Sequence, residues 1–320
     1  MRKQRILVVS PQKSGTHMIC ELMSNLGYRT FGWIAMESPP DFDNGELTSM
    51  ATSVMRKHEK FVFSVARSVG LLKRLEQYAV GLLMTVWYER LGEPLASRHA
   101  LQAVHAVYSR PNLRALVVSH FDSLLPNICL VKHELPLEKT DGAFIRRWSE
   151  TGDPAIIFMY RDPRDVLCSF VRYLTGRTKR KEYGGFAEYY VYNSILESLP
   201  NDDERLMHAI IDPSFPGHRD YLESLWLLRH PNACKVKYED LVGVAGGGSD
   251  QAQRDAVQRV LDHLGIDKDP EECANGIYNT KSFTFSKGQI GSWREMFKPA
   301  HHEAFAKQFG NILEWYGYTS

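Results

Sequence analysis

A strand–turn–helix unit written twice constrains this chain more than any other feature. Ile6-Leu-Val-Val9 is a β-branched and leucine run without a polar residue, the pattern of a strand covered on both faces. A turn over Ser10–Gly15 follows. Met18, Ile19, Leu22, Met23 and Leu26 then recur at helical spacing, and Gly27 closes the helix. The second unit starts at Ala155-Ile-Ile-Phe-Met-Tyr160, turns over Arg161-Asp-Pro-Arg164, and continues as a helix through Val166, Leu167, Phe170 and Val171. Pro163 suits the first helical turn, where its missing N–H is not needed. Further strands are predicted at Leu116-Val-Val118, Ile128-Cys-Leu-Val131 and Cys234-Lys-Val-Lys-Tyr238, and a helix over Gln253–Leu264 that ends at Gly265. Strands alternating with helices predict an α/β fold of three layers, a central parallel sheet flanked by helices on both faces. Ligands then bind beyond the carboxyl ends of the strands.

The 320 residues suffice for a large core, and 43% apolar with 24% charged residues is ordinary globular composition. A net charge of +1 speaks against a protein that grips nucleic acid through its overall field, but leaves room for a local basic pocket. The five cysteines are scattered without a C-x-x-C pair, which fits a reducing, cytoplasmic setting rather than a disulfide framework or a zinc site. The basic start Met-Arg-Lys-Gln-Arg is followed by too short an apolar run for a signal peptide. The longest apolar stretch, Val80–Tyr88, falls far short of the roughly 20 residues that cross a bilayer. No membrane anchor is expected. With no internal repeat or linker, residues 1–320 read as one domain, with helical insertions at about 31–110 and 175–230. Gly243–Asp250 reads as a glycine-rich surface connection.

Three segments carry chemistry. Ser10-Pro-Gln-Lys-Ser-Gly-Thr-His17 joins a strand to a helix. Backbone N–H groups, a glycine, a lysine and a hydroxyl there can cradle a phosphate or sulfate. The magnesium-nucleotide loop G-x-x-x-x-G-K-S/T is not matched, since Gln12 stands where its last glycine belongs. In Tyr160-Arg-Asp-Pro-Arg-Asp-Val-Leu-Cys-Ser169, the Arg161 fork and the Ser169 hydroxyl two helical turns on can share a terminal phosphate. The bland alternative is an arginine paired with Asp162 or Asp165 in a surface turn. In Phe285-Ser-Lys-Gly-Gln-Ile-Gly-Ser-Trp293, glycines flank Lys287 and a tryptophan anchors the segment; its bland alternative is an exposed loop.

Taken in order, these segments resemble the family of PAPS-dependent sulfotransferases (PAPS, 3′-phosphoadenosine 5′-phosphosulfate). The family's P-K-S-G-T-T/S-W loop is matched by Pro11–Met18 with one extra residue, and R-N/D-P-R/K-D-x-x-x-S by Arg161–Ser169 at every defined position. R-K-G-x-x-G-D-W is matched by Ser286–Trp293, and Y-E-D-L by Tyr238–Leu241. The resemblance spans nearly the whole chain. It implies a P-loop-like fold, a donor that leaves as adenosine 3′,5′-bisphosphate, and no metal. By the same resemblance Lys13, Ser14, Gly15, Thr16 and His17 hold the 5′-phosphosulfate. Arg161, Ser169, Lys287 and Gly288 hold the 3′-phosphate, with Tyr238 near the nucleotide. Ser286, His17 and Met18 depart from the family pattern, so one charge and the usual adenine-stacking tryptophan are replaced.

The family's base lies in a K-S/T-H-x-P segment, and Lys132-His-Glu-Leu-Pro136 is one residue longer. Aligning on the histidine nominates His133; aligning on Leu-Pro nominates Glu134. An imidazole suits proton removal near neutrality directly, whereas a carboxylate needs desolvation. His120 reads as a structural loop histidine, and His301-His302 as solvated surface without metal-ligand spacing. Other readings are a P-loop small-molecule kinase and a catalytically silent nucleotide-binding homologue. The acceptor is expected to be a small molecule, such as a natural-product intermediate; Trp33, Trp87, Tyr88, Tyr183, Tyr189, Tyr190 and Tyr192 suit an apolar or aromatic one.

Overall fold

A computed structural model of the protein describes residues 5–31, 64, 67–70, 127–140, 142–176, 187–279 and 288–319. Five strands are formed: β1 (Arg5–Val9), β2 (Arg29–Phe31), β3 (Ile128–Lys132), β4 (Ala155–Tyr160) and β5 (Ala233–Lys237). They make one sheet in the order β2-β3-β1-β4-β5, every pair parallel. β1 lies at the centre, with Leu7 opposite both Leu130 and Ile156. The chain leaves β1 towards one side of the sheet and later returns to build the other. The crevice beyond the carboxyl ends of β1, β3 and β4 is therefore the topological switch point.

The main numbered helices are α1 (Thr16–Asn25), α2 (Gly142–Thr151), α3 (Pro163–Leu174), α4 (Ala187–Ser198), α5 (Asp202–Ile211), α6 (His218–Ser224), α7 (Asp250–Leu264) and α8 (Pro299–Phe309). Alternation along the strands divides the core into two layers. Ile6, Val8, Val131, Ile157, Met159 and Val236 face α1 and α7 through Ile19, Leu22, Val257 and Leu261. Leu7, Val9, Leu130, Ile156 and Phe158 face the opposite layer, where α2, α3, α5 and α8 contribute Trp148, Phe170, Leu206 and Phe305. This is the three-layer α/β arrangement expected from the sequence.

Several boundaries move for local reasons. The strand expected to end at Tyr238 stops at Lys237, and Tyr238 opens the helical turn Tyr238–Leu241. α7 starts at Asp250 because the Ser249 hydroxyl accepts from the Ala252 N–H at 3.1 Å. α3 starts at Pro163 with Asp162 as its cap. β2 has only three residues, Arg-Thr-Phe, too short and too polar to carry a pattern. Tyr189 and Tyr192 are buried in the core against Phe170 and Phe215, so packing accounts for them, while Tyr190 is exposed. The strand expected at Leu116–Val118, His120, Trp33, Trp87, Tyr88 and Tyr183 lie outside the described residues. Among the described residues no helix is long and apolar enough to cross a membrane. All five cysteines are buried free thiols, and burial pushes Cys20 up to about 12, which keeps it inert.

Phe158 is fully buried on β4, with its ring 5.7 Å from Tyr160 and 6.3 Å from Tyr316. Replacing it with alanine is expected to remove about 3–5 kcal/mol of stability, the range for emptying an aromatic core site. Urea unfolding of the variant measures this directly; a loss below about 1 kcal/mol would contradict the packing described.

Candidate functional site

The loop after β1 is built by backbone geometry. The Ser10 N–H continues the ladder to the Lys132 carbonyl at 2.8 Å, and the Ser14 N–H turns back to the Pro11 carbonyl at 3.1 Å. Lys13 takes a left-handed φ of 65°, and Gly15, at the cap of α1, a φ of 95°. A Cβ on Gly15 would sit 2.5 Å from a Tyr238 ring carbon and 2.7 Å from the Met159 methyl. Conformation and space both require glycine here. Ser14 and Thr16 are buried, and the Thr16 hydroxyl pairs with that of Ser10 at 2.9 Å.

Lys13 reaches α3, with its Nζ 3.3 Å from the ring centre of Tyr173 and 5.8 Å from that of Phe170. Burial pulls the amine down to about 7, so the aromatic face holds a group poised between charged and neutral. His17, in the first turn of α1, is lowered to about 4, first by burial and then by Lys13, with His133 adding to the effect. At neutral pH it is an uncharged imidazole. It can serve an anion as a hydrogen-bond donor, not as a cation.

The second and third segments meet at one buried carboxylate. Asp165 on α3 accepts the Gly291 N–H at 2.8 Å and the Trp293 N–H at 2.9 Å, and pairs with Arg161 at 3.4 Å. Arg161 also donates to the Gln289 carbonyl at 2.7 Å and lies 4.3 Å from the centre of the Tyr238 ring. The arginine–aspartate pairing weighed as a surface turn is present but buried, and it clamps the C-terminal segment. Tyr238 donates to the Gly288 carbonyl at 2.9 Å while its ring backs Gly15. Arg161, Tyr238 and Gly288 are thus assembled at the ends of β4 and β5. Arg161 Nε is buried without a hydrogen-bond partner among the described residues, an orphaned donor where an anionic oxygen fits. Ser169 is half-buried on α3, on the face shared by Asp165 and Tyr173, between the clamp and the lysine. Lys287 and Ser286 lie outside the described residues.

The glycine-rich stretch after the Tyr238–Leu241 turn is not a free surface connection. Gly246 is buried, its carbonyl accepts the Ile290 N–H at 3.0 Å, and a Cβ on it would approach the Gly288 carbonyl oxygen to 2.8 Å. It backs the third segment, and only glycine permits that approach.

The two candidate bases follow β3. His133 Nδ1 lies 3.0 Å from the Ser10 carbonyl, which can only accept, so Nδ1 carries a proton and, whenever the ring is neutral, the lone pair sits on Nε2. Glu134 is turned towards α6. Burial raises it to about 7, reinforced by Asp220, by Glu223 and by a hydrogen bond with Glu223, and opposed by Arg219. The desolvation that a carboxylate base needs is therefore present.

α6 falls within the helical insertion expected at about 175–230, but its individual contacts at this edge are not legible in the sequence; it meets the loop after β1 across more than 200 positions. Asp220 accepts the Gln12 N–H at 3.0 Å and is pushed by burial up to about 6. The Tyr221 hydroxyl lies 2.8 Å from Ser14 Oγ, and the Ser224 hydroxyl accepts the Leu135 N–H at 3.2 Å. No local spacing announces these contacts. Tyr173 was equally invisible, although its place four residues after Ser169 put it on the right face. Among the described residues no group of three or more histidine, cysteine or carboxylate side chains could hold a metal.

Replacing Asp165 with alanine takes the carboxylate away from the buried Arg161 and from the N–H groups of Gly291 and Trp293. The expected cost is about 3–5 kcal/mol, the range for breaking one partner out of a buried pair. Amide exchange at Gly291 and Trp293 should accelerate more than at the sheet amides, and unchanged protection would refute the clamp.

No family model matches the chain, and no curated protein matches it. Among solved structures, the chain is similar to mouse sulfotransferase SULT7A1 complexed with PAP, at 13% identity over 100% of this chain and 90% of that one, with a TM-score of 0.49. It is also similar to retinol dehydratase in complex with androsterone and the inactive cofactor PAP, at 18% identity over 98% of this chain and 82% of that one, with a TM-score of 0.37.

Proposed function

We propose that this protein is a PAPS-dependent sulfotransferase acting on a hydroxyl or amine of a small molecule in the cytoplasm. The observation that carries the reading is the convergence at one sheet edge. The Lys13–Thr16 loop, His133, Arg161, Tyr238 and Gly288 gather there, with Arg161 Nε a buried donor that finds no acceptor among the described residues. The four sequence segments that resemble the family supply all of these residues except His133, which comes from the separate Lys132–Pro136 segment.

When bound, PAPS supplies the sulfuryl group and a good leaving group, the bisphosphate. The chain's part is positioning and charge. The N–H groups at the start of α1 and the Lys13 ammonium offset negative charge that grows on the bridging and sulfuryl oxygens. Arg161 contributes its orphaned Nε, and Ser169 a hydroxyl, to the 3′-phosphate; Tyr238 and Gly288 shape the wall beside it. His133 accepts the acceptor's proton at Nε2, because the Ser10 carbonyl fixes the proton of the neutral ring on Nδ1. Glu134, near neutrality and turned to α6, is the other group able to take that proton.

Two measurements test this. Isothermal calorimetry should find adenosine 3′,5′-bisphosphate bound clearly more tightly than adenosine 5′-phosphate, and Arg161→Ala should cost roughly 1.5–3 kcal/mol of that affinity. The sign of the pH dependence follows from Lys13. Its pKa of about 7 without ligand rises when an anion arrives, so binding takes up a proton between pH 7 and the ordinary lysine range and weakens as pH increases through it. Comparing binding heats in buffers of different ionisation enthalpy at pH 8 reads the uptake, which Lys13→Met should abolish. Equal affinity for the two nucleotides would defeat the assignment.

For the base, His133→Ala is expected to lower turnover at least about a hundredfold with nucleotide affinity nearly intact, and Glu134→Gln to do less. A dead glutamine variant beside an active alanine variant would exchange the two roles.

A further inference from the structure

Tyr221 stands at a junction between two parts of the site. Its Oη lies 2.9 Å from the Arg161 carbonyl oxygen and 2.8 Å from Ser14 Oγ, all in the buried wall between α6, the loop after β1 and the end of β4. A phenol has one proton, and a carbonyl can only accept. Tyr221 therefore donates to Arg161, and Ser14 must donate to Tyr221. Burial raises the phenol well above its ordinary range, which keeps that single proton in place.

This order has a consequence for Ser14. With its proton spent on Tyr221, the serine presents only lone pairs to anything else that approaches, and an anionic oxygen needs a donor. One reversal serves the ligand at the expense of one buried carbonyl: the Ser14 proton turns to the ligand, the Tyr221 proton turns to Ser14 Oγ, and the Arg161 carbonyl gives up its donor. Within the chain of hydroxyls only O–H rotors move; Ser14 is fully covered, so the loop after β1 must part to admit the anion to its hydroxyl. The ring of Tyr221 is held for this task, because its own carbonyl accepts from the Tyr316 hydroxyl at 2.7 Å and its ring packs 5.1 Å from that of Tyr316.

We propose that Tyr221 is a positioning residue that couples an anion at Ser14 to the backbone of Arg161 by reversing the direction of this hydrogen-bond chain. The inference rests on the reading that places the donor's 5′ end at Ser14 and its 3′-phosphate at Arg161. Filling the first subsite then releases the carbonyl of the residue that serves the second.

The test uses the whole protein and adenosine 5′-phosphate, which lacks a 3′-phosphate and so cannot touch the Arg161 subsite through one. The probe is the carbonyl-carbon NMR resonance of Arg161. On saturation it should move towards the position of a carbonyl without a donor in the wild type, and stay put in Ser14→Ala at equal occupancy. In Tyr221→Phe it should already sit at that position and not move further. A merely structural tyrosine predicts no ligand-dependent shift. Binding without movement of the wild-type resonance overturns the relay while leaving the sulfotransferase reading intact. Failure of the wild type to bind either nucleotide overturns both. Should Tyr221→Phe not fold, the wild type and Ser14→Ala alone decide.

Discussion

The buried carboxylate of Asp165 is the contact on which the site depends. It lies in the first turn of α3, where helical geometry fixes it, and it receives two backbone N–H groups from a segment more than 120 residues later. A carboxylate with no exposure is costly unless its lone pairs are met, and here Arg161 and the amides of Gly291 and Trp293 meet them. That requirement makes the clamp specific. Arg161 is drawn to the Gln289 carbonyl, Tyr238 to the Gly288 carbonyl, and the glycine-rich stretch at Gly246 closes behind them. The C-terminal segment is thereby fixed to the carboxyl edge of the sheet without belonging to it.

The last residues of the chain strengthen the same edge. Arg164 forks onto Asp162, donates to the Thr319 carbonyl at 2.9 Å and lies 3.8 Å from the Trp293 ring centre. Tyr318 donates to Glu239, which also accepts the Asp162 N–H. The tail joins the two loops that follow β4 and β5, so the strand ends carrying Arg161 and Tyr238 cannot drift apart independently.

Burial also sets the electrostatics. Lys13 at about 7, His17 at about 4, Asp220 at about 6 and Glu134 at about 7 are each shifted towards their neutral forms, with desolvation the largest cause in every case. A site that stores its polar groups near neutrality avoids repulsion among Lys13, His17 and His133, and can recover charge when an anion enters. The hydroxyl chain from Ser14 through Tyr221 to Arg161 follows the same economy, with every donor spent inside the protein.

The sequence by itself determined the strand–turn–helix units at the two central strands, since runs such as Ile6–Val9 and Ala155–Tyr160 have no stable place except a sheet covered on both sides. It also determined the loop residues Lys13 to Thr16 and the Arg161–Ser169 segment, because backbone turns and helix starts are local. β2 escaped notice, as three residues carry no periodicity, and the glycine-rich stretch looked free because glycine serves loops and tight packing alike. Tertiary structure alone decided that Asp165 binds the third segment rather than a neighbouring turn. It alone brought α6 to the loop after β1, set Lys13 on Tyr173, and desolvated Glu134 enough to stand beside His133. Each of these is a contact between residues distant in the chain, and what a polar side chain does when buried depends on the partner that the fold delivers to it.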